Sequence, residues 1–315
     1  MRVLVAGGAG FIGSHLCDSL IADGHIVVCV DNFITGRRKN IAHLHGHPAF
    51  QFIEHDIVNE VDASTVVDQV YHLASPASPV GYMRYPIETH LVNSLGTLNM
   101  LRLAERCQAA LLYTSTSESY GNPAIHPQPE SYWGNVNPVG PRSCYDESKR
   151  FGESIVMEFV RQFGLDARII RIFNTYGPRN DPEDGRVIPN FIRSAERGEP
   201  LVIYGDGSQT RSLCYVSDLV RGLRLAMECD GTIGQVINLG NPDERTVLDL
   251  ARIITDTCQS SADIRFVDAR QDDPERRCPD ISKAGRLLGW SPAVELEDGL
   301  RATIEHFRSF ETLTA

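Results

Sequence analysis

Residues 2–20 read RVLVAGGAGFIGSHLCDSL. Five strand-type residues run into a glycine-rich turn, and the turn opens directly onto a helix with apolar periodicity. Gly7, Gly10 and Gly13 fall across that join as G-x-x-G-x-x-G. Glycines there let the backbone turn tightly and approach a pyrophosphate, while the helix N-terminus supplies N–H donors and the positive end of its dipole. A glycine triplet alone also serves as a structural turn, so the reading rests on its strand–turn–helix setting and on the next strand. That strand, IVVCVD, closes on Asp31, 18 residues beyond Gly13. A carboxylate at that point accepts hydrogen bonds from ribose hydroxyls and repels a 2′-phosphate, which favours NAD over NADP. Arg37 and Arg38 pull weakly the other way from a solvated loop. Asp56, after FQFIEH, falls where an adenine contact is expected, with helix capping as a competing explanation.

Outward from this stretch the same rhythm continues. RVLVA, IVVCV, FQFIE, VVDQVYHLA, ALLYTS and ARIIRIF alternate with helical patterns such as FIGSHLCDSLIADG and NSLGTLNMLRLAERC. Strands apolar on both faces with helical crossovers make a parallel sheet, so the fold class is α/β with a Rossmann-type doubly wound sheet. After Asn174 the chain turns to loops rich in Gly, Pro, Asp and Arg, YGPRNDPEDGR and YGDGSQTR. These predict a smaller α/β C-terminal substrate-binding lobe over the sheet's carboxyl edge. The expected division is 1–174 for the NAD-binding domain and 175–315 for mainly the substrate lobe, with the two interleaved. TVLDLARIITDTC and VELEDGLRATIEHF have the spacing of surface helices with early acidic residues.

Composition removes several classes of function. A formal charge of -11 over 315 residues is the wrong sign for a phosphate-backbone binder, so no nucleic-acid partner is expected. No 18-residue apolar run exists and the N-terminal apolar strand is too short for a signal core, which predicts no membrane partner and a cytoplasmic protein. Eight cysteines stand singly, without C-x-x-C spacing or a Cys/His cluster, so no metal site and no disulfide framework are expected.

Chemistry enters with SCYDESKR, where Tyr145 and Lys149 form Y-x-x-x-K and share one helix face. A tyrosine of ordinary pKa about 10 is a poor base at neutral pH, and an adjacent ammonium stabilises its phenolate. Behind a dinucleotide fold the pair suits alcohol oxidation. The stretch YTSTSESYG, Tyr113 to Gly121, packs five aliphatic hydroxyls around Glu118. It reads either as a proton-handling site or as a strand end satisfying its own backbone.

GGAGFIG, HLAS, TSTSE, Y-x-x-x-K and IFNTYGPR together resemble the extended short-chain dehydrogenase/reductases that act on nucleotide sugars. HLASPASP, HPQPESYWGNVNPVGPRSCYDESKR, DGRVIPNFI and YGDGSQTRSLCYVSDL are similar to the branch that decarboxylates UDP-glucuronate, and the likeness runs to roughly residue 290. The resemblance implies NAD held by Gly7, Gly10 and Gly13 with Phe11 and Ile12. It adds Asp31, Asn32, Phe33, Thr35 and Gly36 after the second strand, then Asp56 and Ile57. Leu73, Ala74 and Ser75 follow from HLAS, and Arg179 from YGPR, beside the catalytic Tyr145 and Lys149. It also implies the reaction: the sugar's C4 hydroxyl is oxidised, the resulting 4-keto acid loses carbon dioxide, and C4 takes the hydride back to give UDP-xylose, so that NAD is recycled.

In the same way Thr116 is expected near C4, with Ser117 and Glu118 managing water and protons at C5. Related dehydratases carry an aspartate at the position of Ser117, where serine is a poor acid. Arg277 is implicated in decarboxylation, although Arg276 adjoins it and the assignment can slip by one. Tyr82, Arg142, Asn174 and Arg211 complete the implied contacts to the UDP-sugar, and guanidinium forks suit its anionic groups. One departure stands out. The branch usually reads NPIKT where this chain has YPIETH, so Glu88 replaces a lysine, and Arg84 stands four residues earlier. Glu88 turns away, is paired by Arg84, or signals another substrate. The alternatives on the same fold are a nucleotide-sugar 4,6-dehydratase or 4-epimerase and, outside catalysis, an NAD-sensing interaction protein. Apolar positions at 94–107 and 149–163 fit a homodimer through a four-helix interface, or an internal core.

Overall fold

The computed structural model describes residues 1–62, 64–268 and 276–312. Seven strands form the main sheet: β1 (Arg2–Ala6), β2 (Ile26–Asp31), β3 (Phe50–Glu54), β4 (Gln69–His72), β5 (Ala110–Thr116), β6 (Ala167–Ile172) and β7 (Val236–Leu239). Their order is β7-β6-β5-β4-β1-β2-β3, and every neighbouring pair is parallel. The direction of winding reverses between β1 and β4, and the carboxyl ends of the strands there open a crevice suited to a ligand. Six of these strands are the six apolar runs of the sequence. The seventh, VINL, is a short run between Gly234 and Gly240, and it pairs with β6 from well inside the C-terminal half of the chain.

Both faces of the sheet are covered, as continuous apolar strands require. On one, α1 (Phe11–Ala22) and the helix Val216–Glu228 bring Leu16, Leu20, Leu219 and Leu223 against Val3, Val5 and Val27. On the other, α2 (Thr97–Cys107) and α3 (Ser143–Phe163) bury Met100, Leu101, Ala104 and Val156 against Leu4, Val28, Val70 and Leu111. Each of these Leu, Val and Met side chains contributes about 1.5–3 kcal/mol when fully buried. A third core gathers Tyr176, Ile188, Phe191, Ile203, Leu250, Ile254 and Ile304 from later segments. Its helices are Val187–Arg197, Val247–Cys258 and Leu296–Thr312.

Two local features place the chemistry. A wide helical turn, Val92–Gly96, leads into α2. On α3, a Cβ at Gly152 would lie 2.1 Å from the Tyr113 hydroxyl, so this helix presents bare backbone to the Tyr113 side chain of β5. Among the described residues no helix is long and apolar enough to cross a membrane.

Candidate active site

A cavity of about 610 Å³ lies at the carboxyl ends of the strands. At one end its wall is the glycine turn. Gly7 has φ +83°, and a Cβ there would lie 2.7 Å from the amide nitrogen of Ala74, so no other residue fits without moving β4's exit. Gly10 is the N-cap of α1, no side chain caps that end, and its first turn holds no acid. The first-turn amides of Phe11, Ile12 and Gly13 are thus left at the cavity wall for an anion, which fits the pyrophosphate of a dinucleotide. Thr35, Gly36, Leu73, Ser75 and Arg179 line the same end.

Several residues expected there stand outside the wall. Asp31 is buried beneath Gly36; its carboxylate accepts from the amides of Ala9 at 3.0 Å and Phe33 at 2.8 Å. It ties the glycine turn to the end of β2. Burial raises its pKa and these two amides oppose the rise. Asp56 accepts from the amide of Val58 at 3.0 Å and from the Asn32 side chain at 3.1 Å, so the capping explanation describes what it does here. Phe33 packs on Phe52, Ile57 is buried against Gly96, and Ala74 meets Gly7 through its backbone.

The middle of the cavity carries Tyr145 and Lys149, from the start of α3. The Tyr145 ring stacks on Tyr82 with centroids 5.0 Å apart. Burial raises the Tyr145 pKa, and a hydrogen bond with the Thr116 hydroxyl works against that rise. Lys149 donates to the carbonyl of Thr114 at 2.8 Å and lies 5.0 Å from the centroid of the Tyr113 ring. Burial lowers its pKa to about 7, against the charge of Glu153. Asn93, buried and absent from the sequence reading, donates to Ser75 at 3.0 Å and to Ser148 at 3.1 Å and joins the wide turn to α3.

The stretch 113–121 is divided between the two readings offered for it. Thr114 donates to the His72 carbonyl at 2.9 Å, and Ser115 and Ser119 donate to Glu153, which Arg171 grips at 2.8 and 2.7 Å. These groups satisfy the interior. Thr116, Ser117 and Glu118 line the cavity, and Thr114 and Ser115 reach its wall as well. The Thr116 hydroxyl accepts from the Glu118 amide at 3.2 Å and caps the short turn Ser117–Tyr120.

At the far end Glu118 is held between two arginines, with one oxygen to Arg142 and the other to Arg277. Arg277 is buried and also donates to the Gly121 carbonyl at 3.2 Å. Arg276 points elsewhere, donating to His126 at 2.9 Å and Glu244 at 3.4 Å, so of the two neighbours Arg277 belongs to the cavity. His126, Glu244 and Cys278 bring metal-ligand atoms within 4.8 Å of one another, but His126 and Glu244 already contact each other at 2.8 Å and the Arg276 guanidinium lies against both. Tyr82, Asn174 and Arg211 line the cavity as expected. Arg186, within DGRVIPNFI, also lines it and was missed, because the stretch was recognised without any task being given to its arginine. The Arg84–Glu88 pairing is corrected: among the described residues they form no ion pair. Arg84 lies 5.3 Å over the Tyr85 ring in the cavity wall, and Glu88 is exposed outside it.

Residues 3–240 match the NAD dependent epimerase/dehydratase family. The chain belongs to that family. Within it, the chain is 54% identical over 306 residues to UDP-glucuronic acid decarboxylase 1 of Danio rerio, covering 97% of this chain and 72% of the relative. It is 52% identical over 309 residues to UDP-glucuronic acid decarboxylase 3 of Arabidopsis thaliana, covering 98% of this chain and 89% of the relative. Among solved structures, UDP-glucuronic acid 4-epimerase from Bacillus cereus, in complex with UDP-glucuronic acid and NAD, superposes with a TM-score of 0.88 at 32% identity, over 98% of this chain and 100% of the other.

Proposed function

We propose that this chain is an NAD-dependent UDP-glucuronate decarboxylase that forms UDP-xylose through a UDP-4-keto intermediate. The observation that carries the reading is the Glu118 carboxylate set between Arg142 and Arg277, beside Tyr145 and Thr116 in one cavity. The family's NAD dependence and the relatives named above support it. When bound, NAD supplies the hydride acceptor for C4 and returns the hydride at the end.

The chain's own residues do the rest. Tyr145 takes the proton of the C4 hydroxyl, Thr116 orients it, and the buried Lys149 ammonium stabilises the phenolate. Loss of carbon dioxide then sends the C5–C6 bonding pair into the C4 carbonyl as an enolate. Arg277 faces the departing carboxylate, and Glu118 with Ser117 handles the proton delivered to C5. Arg142, Asn174, Arg211 and Tyr82 hold the nucleotide sugar, while Gly7 to Gly13, Ser75 and Arg179 hold the cofactor. On this reading residues 1–174 mainly serve NAD and 175–315 mainly serve the sugar nucleotide.

The assembly we propose is a homodimer through a four-helix interface. Ile87, Leu91 and Leu95 form an exposed apolar row at four-residue spacing, and Phe151 is exposed on α3. Eight free cysteines suit a reducing compartment, the cytoplasm. Incubation with UDP-glucuronate, analysed by mass spectrometry, tests the function. UDP-xylose and carbon dioxide without stoichiometric NAD are expected; an isomeric uronate with no gas released would favour the 4-epimerase alternative.

A further inference from the structure

Behind Glu118 and Arg277 lies a closed ring of buried polar groups that the proposed chemistry does not use. Tyr120 sits in the same short turn as Glu118, and its hydroxyl donates to the Asn238 side chain at 2.8 Å. Asn238, on β7, donates in turn to the carbonyl of Gln128 at 2.9 Å and to that of Asp280 at 3.2 Å. The Gln128 side chain accepts from the amide of Cys278 at 2.9 Å, and its backbone donates to the Cys278 carbonyl at 2.9 Å. Cys278 follows Arg277, whose guanidinium closes the ring on Glu118 and on Gly121 at the end of the turn.

Gln128 and Asn238 are 0% exposed and Tyr120 is 1% exposed. The remaining groups of the two amides are also satisfied. The Gln128 side chain donates to the Ile125 carbonyl at 2.8 Å, and the Asn238 backbone N–H donates to the Glu130 carboxylate at 2.8 Å. Apolar side chains would fill this space without desolvating two amides, whereas a polar ring in which both side-chain amides are fully bonded fixes geometry that packing alone leaves loose. What it fixes is the offset between two segments 159 residues apart, one carrying Glu118 and the other Arg277. Tyr145 and Lys149 are supported separately, by α3 and the Thr114 carbonyl, whereas Thr116 ends β5 and caps the turn that carries Glu118.

We propose that Tyr120, Asn238 and Gln128 are positioning residues for the decarboxylation step, holding Arg277 in register with Glu118. The inference rests on the reading that Glu118 and Arg277 act at the C5 carboxylate. It predicts a selective defect, since loss of the ring loosens the carboxylate end and leaves C4 oxidation intact.

Tyr120→Phe removes one hydroxyl at nearly constant volume and keeps the ring that Arg171 covers at 4.7 Å. Gln128→Met removes the acceptor for Cys278. Each variant, with NAD bound, is mixed rapidly with UDP-glucuronate in a single turnover. NADH absorbance reports oxidation, and released carbon dioxide reports the second step. Tyr120→Phe is expected to slow gas release on the order of tenfold while oxidation stays within about twofold, so NADH rises higher than in the parent. A general loss of structure would instead lower both phases together. Equal slowing of both phases, or no change in either, overturns the inference. Arg277→Lys, run alongside, separates the two levels. If it divides the phases and the ring variants do not, the positioning role falls and the reading of Arg277 stands; if it slows both equally, both fall.

Discussion

At the cofactor end of the cavity one short segment offers main chain to the wall, with Gly7, Gly10 and Gly13 bringing backbone close to the ligand's place. At the sugar end it is charge, brought by Glu118, Arg142, Arg211 and Arg277 from separate parts of the chain. The two ends therefore fail differently. A substitution among the glycines adds atoms where a Cβ at Gly7 already meets Ala74 at 2.7 Å. A substitution among the ion pairs subtracts a charge and leaves its buried partner uncompensated.

Substitutions can break or sharpen this contrast. Tyr145 stands where the ends meet, so Tyr145→Phe should reduce both NADH formation and carbon dioxide release by about a thousandfold or more, read by absorbance and gas release in one sample. Undiminished gas release would remove Tyr145 from the chemistry. Glu118→Gln tests the sugar end alone. Carbon dioxide release should fall about a hundredfold with a much smaller effect on initial oxidation, and NADH should accumulate. Asp31→Ala tests the cofactor end. With its carboxylate gone, the amides of Ala9 and Phe33 lose their acceptor, and NAD affinity should fall about tenfold in a binding titration while UDP affinity is unchanged.

The smallest effect is expected where the charge departs from the resembling branch. Because Arg84 lies over Tyr85 and Glu88 is exposed outside the cavity, Arg84→Ala and Glu88→Ala should act additively on KM for UDP-glucuronate, within about 0.5 kcal/mol. A coupling above that in a double-mutant cycle would restore the pairing.

The same contrast explains what could be read from the sequence. The glycine turn and Tyr145–Lys149 are local patterns, in which spacing alone puts the groups together, and six sheet strands announced themselves as apolar runs. Asp31 and Asp56 are legible as acids at the ends of their strands, but which amides each accepts from, those of Ala9, Phe33 and Val58, depends on how the β1–α1 and β2–β3 connections fold back. VINL was too short to declare itself a strand until β6 stood beside it. The choice of Arg277 over Arg276 turns on contacts to Glu118 and His126, far off in the chain. Gln128 stands in the stretch HPQPESYW without a task of its own and Asn238 lies in none of the motifs; their burial beside one another gives them meaning.

Gly152 sets a limit on how the rest of the interior can change. Since α3 meets the Tyr113 side chain of β5 there with bare backbone, that ring, whose hydroxyl also donates to the Lys149 carbonyl at 3.4 Å, sets the distance between helix and strand and so the reach of the Lys149 amine to the Thr114 carbonyl. The ring is a gauge block. Drift at Met100, Leu101 or Val156 can then alter how long the fold survives without retuning where the amine sits, whereas a single methyl group at residue 152 would do the reverse.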